Sequence, residues 1–280
     1  MQADRKISSS RHRLFVKHIA VPNEHGSWVF LFSPLLIGLF AGRSLSFASL
    51  LLVGAALSAF MLRQPVTILV KIISHRRPRS ELTSSLFWIS LYSILGAGFL
   101  AGLIGMGYVA LIYLVLPALP VFAWHLWLVS KRSERRKPLV EIAGSGALAL
   151  AAPGAYWVGI SQYDPIGWLL WGLCWLQAAT SILYAYLRLE QRGWQAVPSV
   201  QDCWKAGRQI VAYAGFAVLL VSGLAIIKIV PIFLPVAFTV QLIEAIYGTF
   251  KPAVRMKPTS IGIRQLIISS LFTIFFILLW

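Results

Sequence analysis

Charge is scarce in this chain, and acidic charge is the scarcest. Asp, Glu, Lys and Arg make up 12% of 280 residues, with nine acidic side chains against 25 basic ones. That charged fraction, with 58% hydrophobic residues and a mean hydropathy of +0.76, excludes a soluble domain of this length and leaves a polytopic helical membrane protein. No ten-residue block alternates apolar and polar residues, which excludes a transmembrane β-barrel. Cysteine is sparse too: Cys174 lies in an apolar run and Cys203 in a basic loop, without ligand spacing or a disulfide framework, so neither is read as a metal site. The first twenty residues hold no apolar run of about 7–15 residues, the core a cleaved signal needs. No glycine loop leads into Lys and Ser or Thr to cradle phosphate, and no Ser sits in a strained elbow as a nucleophile.

What the chain has in quantity is apolar length. Behind a basic tail at residues 1–20 come runs at 21–42, 45–73, 84–104, 107–128, 138–160, 166–187, 210–227, 229–249 and 261–280. Each is long enough for a hydrocarbon core of about 30 Å, so the spacing predicts one domain, 21–280, of nine transmembrane helices. Lys and Arg fill alternate joins: Arg76, Arg77 and Arg79; Lys131 to Lys137; Arg188 to Arg208; Lys251 to Arg264. The other joins hold little beyond Arg43 and Lys228, which predicts a cytoplasmic N-terminus and a C-terminus on the opposite side. That confinement to short loops is membrane topology rather than a nucleic-acid footprint. Trp28, Trp88, Trp124 and Trp127 fall at expected inner boundaries and Trp157, Trp168 and Trp280 at outer ones, while Trp171 and Trp175 lie deeper, as packing or cavity wall. Gly38/Gly42, Gly98/Gly102 and Gly144-Ser145-Gly146 read as close-packing points.

Ionisable groups collect at the expected cytoplasmic ends of the spans. They are Glu24 and His25 entering the first, Arg63 and Lys71 leaving the second, His125 leaving the fourth, Glu141 entering the fifth, Arg188 and Glu190 leaving the sixth, and Glu244 in the eighth. Arg63, Thr67 and Lys71 recur every four residues and share a helix face. A cation at the bilayer centre costs roughly 2.5–3.5 kcal/mol, so such a face turns to a bundle interior, a cavity or the headgroups. Groups from six spans at one depth predict an inward-facing polar cavity, against the simpler reading that Glu–Arg pairs tie helix ends together.

VPNEHGSWVFLFSPLLIG from Val21, Arg63-Gln64-Pro65 with Lys71, KRSERRKPLVE from Lys131 and RMKPTSIGIRQ from Arg255 resemble the YwiC-like family of bacterial membrane proteins. The resemblance implies a membrane location, that of the bacterial inner membrane, and no established activity. A more distant likeness is to the UbiA-type prenyltransferases, nine-helix membrane enzymes. Arg77-Pro78 is similar to the Arg-Pro after their first Asp-rich motif, and Lys131-Arg132 ahead of APGAYWVG to their Lys-Arg element. Tyr184-Ala185 is similar to the start of their second motif, but Arg188 and Arg192 stand where its carboxylates would be, and no acid occurs between Glu24 and Glu81.

Those departures shape the expected function. The family's carboxylates hold Mg²⁺ on a prenyl diphosphate; arginines there would repel Mg²⁺ and could grip a phosphate or carboxylate directly. The expectation is a UbiA-like bundle that binds an anionic amphiphile, a phosphorylated isoprenoid or lipid, without metal or cofactor. Its ligand-binding set is Arg63, Lys71, Arg188, Arg192, Lys131, Arg132, Glu24, His25, Glu190 and Glu244, with Arg63 and Arg188 facing each other across the cavity. Three alternatives stay open: a transferase using Glu24, Glu190 or Glu244, a transporter or flippase for an organic anion, and a non-catalytic assembly partner.

Overall fold

The computed structural model describes residues 16–22, 26–133 and 137–280. Glu24 and His25 lie outside the described residues, as do residues 134–136. The described chain is helical, with no strand: α1 (Lys17–Ala20), α2 (Ser27–Ala41), α3 (Phe47–Ile73), α4 (Leu82–Gly105), α5 (Val115–Ser130), α6 (Pro138–Ala149), α7 (Ala151–Ile160), α8 (Ile166–Arg192), α9 (Val200–Ile226), α10 (Pro235–Phe250) and α11 (Pro258–Leu279). Short 3₁₀ turns, Arg79–Glu81 and Val109–Leu114, lead into α4 and α5, and Leu150 joins α6 to α7 as one rod. With those turns included and α6 and α7 taken together, seven helices among the described residues are long and apolar enough to cross a membrane.

Each of the nine expected runs is a helix, but α2 and α10 are shorter than their runs. They have 15 and 16 residues, because α2 begins at Ser27 and α10 follows a turn-rich stretch that ends at Pro235. At about 1.5 Å per residue they rise about 22–24 Å, less than a hydrocarbon core of about 30 Å. α9 begins ten residues before the expected run, where the Ser199 side chain caps it by accepting from the Asp202 N–H at 3.3 Å.

Helix α2 lies among α3, α6, α7, α8 and α11, and leaves Phe32, Leu36 and Phe40 as its exposed stripe. Its approach to α7 is made by glycine. A Cβ on Gly38 would collide with the Ala152 carbonyl, and one on Gly42 would stand 2.9 Å from the Gly159 Cα. The second expected glycine pair is looser, with nothing within 4 Å of a Cβ at Gly98. Gly146 receives the Trp175 ring, while Trp171 and Trp175 donate their indole N–H groups to the Gly146 and Ile142 carbonyls at 2.8 and 2.7 Å. Those two tryptophans are packing. Trp157 is packing as well, 1% exposed and bonded to the Asp164 carbonyl, rather than part of a lipid-facing belt.

Four helices end in a two-bond wrap of the last turn, in which Arg76, Tyr108, Ser133 and Ile229 donate their N–H groups back across the turn to Lys71, Leu103, Leu128 and Leu224. The left-handed residue that this wrap requires is Gly107 once; elsewhere it is His75, Arg132 and Lys228. Basic side chains there sit against the negative end of the helix dipole.

The fold begins ahead of residue 21. Ile19 of α1 packs on Ile68, Ile72 and Trp88, and the carbonyls of His18 and Ala20 accept from Gln64 and Tyr92. The last residues of the expected tail thus dock across α3 and α4. Arg76 ties the same end of the bundle to the Val129 carbonyl of α5 at 2.5 Å.

Candidate functional site

Helix α8 is built inside out. Cys174, Gln177, Ser181, Tyr184, Arg188 and Gln191 recur at three- and four-residue spacing and are all buried. A polar stripe turned inward is what a helix in lipid adopts when its polar groups have partners on neighbouring helices. The partners lie on α10 and α11. Gln177 donates to Gln241 Oε1 at 3.3 Å, and Gln265 donates its amide to the Ser181 hydroxyl. The Tyr184 hydroxyl donates to Glu244 Oε1 at 2.5 Å. Arg264 completes that rung through Nε to Oε1 and Nη2 to Oε2, at 2.5 and 2.8 Å, with its guanidinium 4.3 Å from the Tyr247 ring centre. Gly248 leaves the room that the Tyr184 ring fills.

At the basic end of the stripe, Arg188 and Gln191 clamp the connection between α10 and α11. Arg188 is 3% exposed and donates through Nη1 to the carbonyls of Gly248 and Lys251, at 2.9 and 2.7 Å, and to Gln191 Oε1 at 2.9 Å. Gln191 in turn donates to the Gly248 carbonyl and accepts the Ala253 N–H. Arg188 therefore serves the carbonyl end of α10, where the helix dipole is negative. Arg192, one residue past the clamp, is exposed; it gives Nε to the Met256 carbonyl, and its own carbonyl accepts the Arg255 N–H. Lys251, Arg255 and Lys257 are exposed on the loop so held, and Arg255 has a left-handed backbone, φ 55°. Beside Lys251, the half-exposed rings of Phe250 and Trp204 stack at 6.1 Å.

The expected residues thus divide. Arg188, Arg192 and Glu244 belong to one column between α8, α10 and α11. Arg63 stands on α3 with its guanidinium 5.9 Å from the Phe60 ring centre, and Lys71 lies two turns further along. With α3 packed on α4, α7 and α5, and Arg188 enclosed by carbonyls, Arg63 and Arg188 do not face each other across a common cavity. Lys131 and Arg132 end α5, both exposed, and Glu190 is exposed on α8. Glu141 accepts from the Tyr186 hydroxyl at 2.7 Å, which joins α6 to α8. Among the described residues no three His, Cys, Asp or Glu side chains cluster as metal ligands.

Gln177, Ser181, Tyr184, Gln241, Arg264 and Gln265 are the residues that sequence reasoning missed. The three on α8, Gln177, Ser181 and Tyr184, had a signal in the three- and four-residue recurrence of polar side chains from Gln177 to Gln191 within an apolar run; Gln241, Arg264 and Gln265 are found only through their contacts with it.

Residues 21–156, just under half of the chain, match the family described as YwiC-like protein. Over these residues the chain is similar to the YwiC-like family. The match ends ahead of α8, so the polar column lies beyond it. Comparison with curated proteins and with solved structures finds no match.

Proposed function

We propose that this YwiC-like protein crosses the bacterial inner membrane nine times, with its basic end in the cytoplasm, and binds there the head of an anionic amphiphile without metal. The observation that carries this reading is the clamp of Arg188 and Gln191. It fixes the loop 251–257, which carries the exposed Lys251, Arg255 and Lys257 and is bonded at Arg255 and Met256 to the exposed Arg192. Among the described residues, Arg192 spends only its Nε on the protein. Its terminal nitrogens suit the paired oxygens of a phosphate, and the lysines add compact charge. The Phe250–Trp204 stack offers an apolar ledge next to Lys251, as a headgroup with a hydrocarbon tail requires. A phosphorylated isoprenoid or a lipid phosphate fits this description.

The test is ligand-dependent thermal stability of the protein in detergent with excess chelator. A prenyl phosphate should raise the melting temperature of the parent protein. Replacing Arg192 and Lys257 with Gln should remove about 1.5–3 kcal/mol of that stabilisation, the usual worth of a charged hydrogen bond. Stabilisation that needs Mg²⁺, or that survives the double replacement, would overturn this assignment.

A further inference from the structure

A cavity of about 20 Å³ lies between α2, α8 and α11, in contact with Ser33, Cys174, Gln177, Ser181, Ser269 and Phe272. Space of this size admits about one water molecule. Its lining differs from that of a dry packing defect, since three hydroxyls and an amide border it. Two groups one hydrogen bond away are left short: buried Gln241 Nε2 and Gln265 Oε1 have no partner among the described residues, although Gln241 accepts from Gln177 and Gln265 donates to Ser181. Pro34, also in the lining, has no N–H to give, so the Phe30 carbonyl one turn back lacks its usual helical donor. Ser33 meets Thr273 at 2.6 Å across the same gap.

We infer that this pocket is a water site and the inner end of a hydrated column that runs along the α8 stripe from the Glu244–Arg264 pair to Thr273. Each rung supplies both donors and acceptors: Tyr184 with Glu244, Gln177 with Gln241, Ser181 with Gln265, Ser33 with Thr273. Water is the ligand this chemistry selects. A bare cation would meet only neutral oxygens, because the nearest carboxylate along the column, Glu244, is already matched by Arg264. Past Thr273 the column closes on the ring cluster of Phe238, Phe272, Phe276 and Trp280, which offers no hydrogen bond along the ring faces. The column therefore admits water and protons from the Glu244 side to the middle of the bundle and stops them there. This inference goes beyond anion binding at the basic loop and does not depend on it.

X-ray hydroxyl-radical footprinting of the protein in lipid nanodiscs tests it, because radicals formed from ordered water mark the side chains beside that water. The chain carries its own controls. Cys174 and Cys203 are equally buried, at 3% exposure, and only Cys174 lines the pocket. Tyr184 lies on the column, whereas Phe238 and Phe276 lie in the ring cluster and are as deeply buried. After correction for intrinsic reactivity, Cys174 should be oxidised several-fold faster than Cys203, and Tyr184 several-fold faster than Phe238 and Phe276. Gln177→Leu, which fills the pocket with an apolar chain, should bring Cys174 down to the rate of Cys203. Cys174 labelling no faster than Cys203 in the parent protein overturns the water site, whether or not Tyr184 is labelled. Should the Leu variant fail to fold, the comparison within the parent chain still decides.

Discussion

Arg264 of α11 holds both carboxylate oxygens of Glu244 on α10, through Nε at 2.5 Å and Nη2 at 2.8 Å. The two partners differ in their surroundings. The Glu244 side chain is almost wholly buried, whereas that of Arg264 is more than a third open, so a bare Arg264 can recruit bulk water or headgroups, while a bare Glu244 keeps only the Tyr184 hydroxyl and the few waters of the column against its charge.

Arg264→Gln should therefore destabilise the protein by about 3–5 kcal/mol, the range for an orphaned buried charge. Glu244→Gln should cost less, since the new amide oxygen still accepts from Tyr184 and Arg264 keeps part of its solvent. Removing both charges with Glu244→Gln and Arg264→Gln should recover most of the loss. Denaturation in mixed micelles with a double-mutant cycle measures this, and a double variant as unstable as the sum of the singles would show that the pair is not coupled.

The glycines of α2 and α4 make a second contrast. Gly38→Ala puts a methyl into the Ala152 carbonyl and within 2.8 Å of the Ala155 Cβ, so α2 and α7 must separate. Overpacking of this kind costs about 1–3 kcal/mol. Gly98→Ala meets open space, and its only effect should be the helix preference of Ala over Gly, a gain of up to about 1 kcal/mol. Melting temperatures of the two variants should move in opposite directions.

The apolar runs and their basic joins were legible because lipid imposes them: a helix must be long, and its cations must lie near its ends. Residues 45–73 became α3 almost to the residue. The length of α10 was not legible, since the turn stretch at 227–234 is nearly as apolar as the helix it precedes, whereas the late start of α2 was announced by Pro22, Asn23, Glu24 and His25, which the apolar run had absorbed. Within the site, Arg188 and Glu244 stood out as charges in apolar surroundings, but what each charge meets depends on tertiary contacts. Arg188 reads in sequence as a free cation on the last turns of a span. In the fold it is consumed by carbonyls 60 and 63 residues away. Tyr184, read only as the edge of a motif, turned out to be a partner of Glu244.

His75 offers a prediction that runs against the usual expectation for a glycine substitution. It ends α3 in the left-handed region, φ 54°, where a side chain costs roughly 1–2 kcal/mol and glycine nothing. His75→Gly should stabilise the protein by up to about 1 kcal/mol, part of the relief being returned as lost chain entropy. His75→Val should destabilise it, as a β-branched side chain fits that backbone worst. Two losses in thermal melts would mean that the His75 side chain is held by contacts of its own.

The last prediction concerns how the short helix α10 sits in the membrane. α9 has 27 residues, long enough to cross with length to spare, whereas α10 has 16 and rises about 24 Å. It is nonetheless packed along α9, α8 and α11, and the turn stretch before it, with Ile229, Ile232 and Phe233 exposed, carries apolar surface beyond its first turn. Apolar side chains at that tip can stay at the lipid boundary while the helix reaches the other side, so α10 should complete a crossing despite its length. Single cysteines in a chain whose native cysteines are replaced would measure this in intact cells with a membrane-impermeant thiol reagent. Gln162→Cys, between α7 and α8, and Ile232→Cys, between α9 and α10, should react; Ser133→Cys, Gly193→Cys and Lys257→Cys should react only after lysis. If Lys257→Cys reacts in intact cells along with Ile232→Cys, α10 does not cross and the C-terminus lies in the cytoplasm. If Ser133→Cys and Gly193→Cys react while Gln162→Cys does not, the whole orientation is reversed, and the basic end with its Arg192 loop faces away from the cytoplasm.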